Sequence, residues 1–188
     1  MAATGPAARA DTLRHNANVM KTPTFLLLAL AASVLVLHPP AEAAEAGTPA
    51  PNFSLPNAKG EPLALDKLRG KVVYVDFWAS WCGPCRRSFP WMNEMQQKYG
   101  TKGFTVVAIN VDKKRADAEK FLGQIPANFP VVYDEAGITP AAYAVKGMPS
   151  SYLIDPSGKI SYVERGFVDE NKAPLEDRVK ALLATVKN

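Results

Sequence analysis

The chain has 188 residues, 47% of them hydrophobic and 21% charged, with a formal net charge of +4. This is the balance of an ordinary globular protein, with length for one domain and a little over. Lysines and arginines are scattered among acids, so the mild basicity marks no nucleic-acid partner. The one short basic run, Lys113-Lys114-Arg115, reads as a solvated helix start.

Residues 1–19 are polar, have no apolar period and read as an untranslated or disordered leader, with translation starting at Met20. Residues 20–43 read as a signal peptide. Lys21 precedes an apolar run from Phe25 to Leu37, which is shorter than the roughly 20 residues of a membrane span. Small residues then offer cleavage after Ala43 or Ala46, and an uncleaved membrane anchor is the alternative. Export would leave roughly 140 residues, enough to bury a core without structural disulfides. It would also remove His15 and His38, both histidines of the chain. The mature protein would then have no imidazole, hence no histidine-assisted nucleophile and no histidine metal ligand.

Residues 44–51 read as a Pro/Gly/Ala linker and residues 52–188 as the domain. Phe53-Ser54-Leu55 and Pro62-Leu63-Ala64-Leu65 flank Asn57-Ala58-Lys59-Gly60, a short hairpin with a polar turn. The β-branched and aromatic run over 72–79 predicts a buried strand. A helix is predicted over 84–99, with Phe89, Met92, Met95 and Tyr99 at helical spacing; the methionines read as core filler. A second central strand is predicted over 104–111, a helix over 116–122, a short strand over 130–133 and a helical turn over 140–145. Residues 151–154 and 159–164 alternate around Asp155-Pro156-Ser157-Gly158, a hairpin turn. Leu175, Val179, Leu182, Leu183 and Val186 mark one face of a closing helix that starts near Pro174.

The chain's two cysteines stand three positions apart, in "VDFWASWCGPCRRSFP". Such a pair can be a redox couple, half of a metal site or a plain cross-link. Its setting between a strand and a helix favours the first. Cys82 falls at the helix N-terminus, where unpaired N–H groups and the macrodipole stabilise an anion. That lowers a thiol pKa, and the thiolate is the species that attacks disulfides. Cys85 lies one turn further in, shielded and close enough to close a tight disulfide. Gly83 lets a partner backbone approach, and Pro84 suits the first helical turn.

Asp76 interrupts an otherwise apolar strand six residues before Cys82. Alternation puts it on one face with Trp78 and Ser80, pointing inward. Burial should raise its pKa. Near Cys85 it would accept and return the proton that the second thiol must lose; the competing reading is an exposed strand-end aspartate.

"VDFWASWCGPC" resembles the active-site segment of the thioredoxin superfamily, with Pro90 matching the proline inside its first active-site helix. "GMPSSYLID" is similar to the segment that holds the superfamily's cis-proline, which would make Pro149 that residue, with Met148 beside the substrate groove. Gly166 matches a glycine at that groove. The long stretch between Val111 and Gly137 resembles the insertion of the TlpA/ResA-like extracytoplasmic branch. The resemblance implies an α/β protein: a thioredoxin fold with an N-terminal β-hairpin and an αβ insertion in the middle of the domain. It implies Cys82, Cys85 and Asp76 as the catalytic set, and Trp81, Gly83, Pro84, Met148, Pro149 and Gly166 as the substrate-binding set. There are departures. Ser88 stands where ResA-like proteins often carry a glutamate, Ala108 where thioredoxin has a lysine partner for its aspartate, and Ser150 where cytochrome-maturation members often have glutamate.

The expected function is a periplasmic thiol-disulfide oxidoreductase, a monomer that reduces exported protein clients and is recharged by a membrane thiol-electron transporter. Gly-Pro between the cysteines resembles thioredoxin, a reductant near −270 mV, more than the strong oxidants. No metal and no cofactor beyond the Cys82–Cys85 couple is expected, because two thiolates fall short of a tetrahedral zinc site. A peroxiredoxin-like peroxidase would need proline and threonine where Val75 and Ala79 stand. A non-catalytic binding module on the same scaffold is the remaining alternative.

Overall fold

The computed structural model describes residues 44–186. The expected leader over 1–19 and signal peptide over 20–43 lie outside the described residues. Among the described residues no helix is long and apolar enough to cross a membrane.

Two short strands, β1 (Ser54–Pro56) and β2 (Pro62–Ala64), pair antiparallel as the predicted hairpin. Asn57 builds the turn: its Oδ1 accepts the Lys59 and Glu61 backbone N–H groups at 2.8 and 3.0 Å. Strand β3 (Val72–Trp78) follows, then helix α1 (Cys85–Tyr99) and strand β4 (Phe104–Asn110). β3 and β4 run parallel in register from Val72 opposite Phe104 to Trp78 opposite Asn110. Every residue of both strands is buried, as expected where parallel strands are covered on both faces. The insertion forms α2 (Arg115–Gln124), the short β5 (Val131–Tyr133) beside β4, and α3 (Ile138–Ala142). Strands β6 (Ser150–Ile154) and β7 (Ile160–Arg165) form the second hairpin, and α4 (Lys172–Leu183) closes the domain. The sheet order is β5-β4-β3-β6-β7.

Several element boundaries differ from those expected, by one to three residues. The helix expected from Pro84 begins at Cys85, with Pro84 as its N-cap residue. The turn expected over 140–145 lies at Ile138–Ala142. Residues 44–51, expected as a linker, hydrogen-bond along the sheet edge: Gly47 donates to the Ile160 carbonyl at 2.8 Å, Ile160 donates back to Thr48 at 2.9 Å, and Ala50 donates to Gly158 at 3.0 Å. Without this segment the edge of the sheet at β7 would present unpaired backbone groups, which proteins commonly cover.

The insertion is anchored by aromatics. Trp78 of β3 meets Phe89 of α1 and Phe121 of α2 with ring centroids 4.8 Å apart in each pair, and Phe129 meets Phe89 at 5.4 Å. Such pairs contribute roughly 0.5–1.5 kcal/mol each beyond their buried area. They fix α1 and α2 over one face of the sheet, at the end where β3 releases the chain toward the cysteines.

Candidate active site

β3 ends at Trp78, and the next six residues turn the chain into α1. Ser80 holds this turn. Its backbone N–H donates to Asp112 Oδ2 at 2.9 Å and its hydroxyl to Asp112 Oδ1 at 3.0 Å. Asp112 is buried just beyond β4, where Asn110 Nδ2 donates to it at 2.8 Å. Sequence reasoning missed this anchor; its only signal was an acid directly after an apolar strand. It also placed Ser80 on the Asp76 face, but the strand stops first and the side chain turns to Asp112. Asp112→Ala leaves three donors without a partner and is expected to cost about 3 kcal/mol. A urea melt tests this, with amide exchange at Ser80 rising in parallel; a loss under about 0.5 kcal/mol would show that the turn is held by other means.

Cys82 and Cys85 are joined in a disulfide. The Cys85 N–H, at the open start of α1, donates to Cys82 Sγ at 3.2 Å. A sulfur in this position gains when it becomes anionic, since the N–H and the helix N-terminus both favour negative charge. The place of Cys82 at the helix start predicts an exposed Cys82 thiolate beside a protected Cys85. In the disulfide both are buried, 3% and 0% exposed. The neighbours of Cys82 are open: Trp81 is 72% exposed, and Gly83 is exposed with open space where a Cβ would stand.

Asp76 is fully buried. Because β3 is covered on both sides, alternation selects a face rather than inside or outside. Asp76 alternates with Val72, Tyr74 and Trp78, which share one core cluster with Cys82, Cys85 and Phe89. Burial pushes the Asp76 carboxyl up to about 7, and a hydrogen bond from Ser151 opposes that rise. Ser151 Oγ donates to Asp76 Oδ1 at 2.6 Å. The β4 neighbour is Ala108, so no cation offsets the burial from that side. Ser88, one turn beyond Cys85, is buried and donates to the Cys85 carbonyl at 3.2 Å. It brings no carboxylate to α1.

The Met148–Pro149 peptide bond is cis. Ser150, the next residue, pairs with Phe77, which puts Pro149 at the same sheet end as the turn into the cysteines. Met148, Pro149 and Gly166 line one groove of about 300 Å³ together with Lys146 and Arg165. Gly166 has φ +88° and donates its N–H to the Pro149 carbonyl at 2.8 Å; a side chain would be strained there. Arg87 of α1 reaches the carbonyl of the following Phe167 at 3.4 Å, tying the cysteine helix to this rim. Among the described residues no three of His, Cys, Asp and Glu gather as a metal-ligand set.

The chain matches the Redoxin family model over residues 45–182. It is 35% identical over 130 residues to the thiol-disulfide oxidoreductase ResA of Bacillus subtilis, covering 69% of this chain and 73% of that protein. The ResA of Bacillus anthracis is also 35% identical, over 141 residues, 75% of this chain and 80% of that one. A crystal structure from Chlorobium tepidum, described as a putative thiol:disulfide interchange protein DsbE, superposes with a TM-score of 0.73 at 53% identity, covering 75% of this chain and 99% of that one. With its thioredoxin-type sheet, N-terminal hairpin and helix-start cysteine pair, the chain belongs to the Redoxin family, as a TlpA/ResA-like thiol-disulfide oxidoreductase of the thioredoxin superfamily.

Proposed function

We propose that the protein reduces disulfides of exported client proteins in the periplasm, as a monomer, and that a membrane thiol-electron transporter restores its dithiol. The observation that carries the reading is the Cys85 N–H donated to Cys82 Sγ, which favours Cys82 as the anion. In the reduced protein the Cys82 thiolate attacks one sulfur of a client disulfide. The client S–S bond breaks, a Cys82–client bond forms, and the departing client sulfur takes a proton. Cys85 then loses its proton to Asp76 and attacks the Cys82 sulfur. The Cys82–Cys85 bond forms as the Cys82–client bond breaks, the second client sulfur leaves as a thiolate and takes up a proton, and two electrons have passed from the dithiol to the client. No cofactor beyond the disulfide enters this sequence.

Trp81, Gly83 and Pro84 on one side, and Met148, Pro149 and Gly166 on the other, are proposed to bind the client backbone beside its disulfide. The signal-peptide pattern of the sequence supports export, and an oxidising compartment in turn requires an electron source for a reductase. The direction of electron flow is tested by the redox potential, measured against glutathione mixtures, together with insulin reduction by the dithiothreitol-charged protein. A potential near that of thioredoxin, about −270 mV, is expected. A value above about −150 mV would group the protein with the oxidants and reverse the assignment.

A further inference from the structure

Asp76 is a carboxylate with one hydrogen bond. Its Oδ1 accepts from Ser151 at 2.6 Å, while its Oδ2 is buried with no partner among the described residues. Such an atom is uncommon in a folded protein and calls for a reason. The register supplies the setting: Ser151 stands on β6 between Asp76 of β3 and Glu164 of β7, as the direct cross-strand neighbour of both. A serine hydroxyl has one proton to donate, and two carboxylates flank it. Glu164 already holds other donors, the Tyr162 hydroxyl and Asn171 Nδ2, each at 3.0 Å. The Ser151 hydroxyl donates to Asp76 Oδ1 rather than to Glu164.

We infer that Ser151 is a positioning residue for the exchange reaction: by occupying Oδ1 it orients the Asp76 carboxyl, leaves Oδ2 as the atom that takes the Cys85 proton, and holds the group near its working protonation balance. The inference rests on the proposed role of Asp76 as that proton acceptor. A hydroxyl donated to Oδ1 serves both protonation states, since Oδ1 accepts as a carboxylate oxygen and as a carbonyl oxygen once Oδ2 is protonated. It favours the ionised state more, and so opposes the upward push of burial. No other residue of the site does this. β4 contributes Ala108, and the α4 residues in or against this cluster, Leu175, Val179, Leu182 and Leu183, are all apolar. The remaining titratable groups are Tyr74 on β3, Tyr162 and Glu164 on β7, and Cys82 and Cys85. Of these, Tyr74 is itself pushed well up by burial and by the Asp76 charge, against a lowering hydrogen bond from Ser151. Arg178 of α4 lies over the Tyr162 ring, 3.9 Å from its centroid, rather than against Asp76.

The experiment follows the Asp76 carboxyl by 13C NMR against pH in the oxidised protein, for the wild type, Ser151→Ala, Ser151→Thr and Ser151→Val. Loss of the hydroxyl should move the midpoint up by about one to two pH units, in Ser151→Ala and in Ser151→Val. Ser151→Thr should restore it to within about half a unit, and the Thr/Val pair, differing by hydroxyl against methyl, carries the comparison if the alanine variant does not fold. The pH profile of the Cys85-dependent step should shift in the same direction and lose that shift in an Asp76→Asn background. An unmoved midpoint in the folded Ala or Val variant overturns the inference, as does an equal slowing by Ser151→Ala with and without Asp76. If Asp76→Asn alone leaves the step unchanged, the proton-acceptor role of Asp76 fails, whereas the midpoint still decides whether Ser151 poises the carboxyl.

Discussion

Cys85→Ser is expected to accumulate client proteins covalently on Cys82, while Cys82→Ser accumulates almost none. The first variant keeps the attack and lacks the thiol that resolves it, so each turnover stops at the mixed disulfide. In the second, the remaining sulfur belongs to a side chain at the first position of α1 that is fully buried. The residues flanking Cys82 are exposed, and the backbone N–H that steadies its charge comes from Cys85, a group that the serine variant retains. Expression of both variants, acid quenching and non-reducing gels read the difference directly, and an excess of at least roughly tenfold is expected from the difference in thiolate character and access. Equal trapping by the two variants, or none by either, would show the order of attack to be wrong. The trapped bands would also identify the clients.

Asp76→Asn is expected to make the fold more stable in a pH-dependent way while slowing resolution. The carboxyl sits near 7 in the folded protein against an ordinary 3.8, so between these values the folded state holds a proton that the unfolded state has released. A pKa raised by folding contributes stability fully present below about pH 4, lost as pH rises through 7 and level above it. The whole span corresponds to roughly 4 kcal/mol. The asparagine side chain does not titrate, so the variant should gain about 2–4 kcal/mol over the wild type at pH 8 and almost nothing at pH 4. Removing the proton acceptor should slow the Cys85 step by roughly tenfold to a hundredfold near neutral pH. Urea melts at both pH values and single-turnover exchange check the two halves together. Loss of stability at pH 8 with unchanged kinetics would remove Asp76 from the mechanism.

These two variants also separate what could be read along the chain from what could not. The strand over 72–78, the helix after it and the closing helix carry their own signals, because β-branched runs and 3.6-residue apolar spacing are local patterns. The cysteine pair is local too, since three residues of separation at a helix start define both a closable disulfide and a stabilised anion. An acid inside a strand buried on both faces could likewise be singled out from sequence. Its partner could not. Ser151 is one of two adjacent serines 75 residues away, and only the β3–β6 register decides that this one, rather than Ser150, faces Asp76. A slip by one residue would turn every side chain of β6 to the opposite face. The Asp112 anchor beneath Ser80 and the docking of residues 44–51 along β7 are hidden for the same reason: both are pairings between distant segments whose own sequences look like ordinary loop. Composition and periodicity determined the elements and the reacting sulfurs of this protein. The partners that hold its carboxylate and its active-site turn were decided by strand pairing, because a side chain's neighbour across a sheet depends on register, which no local pattern encodes.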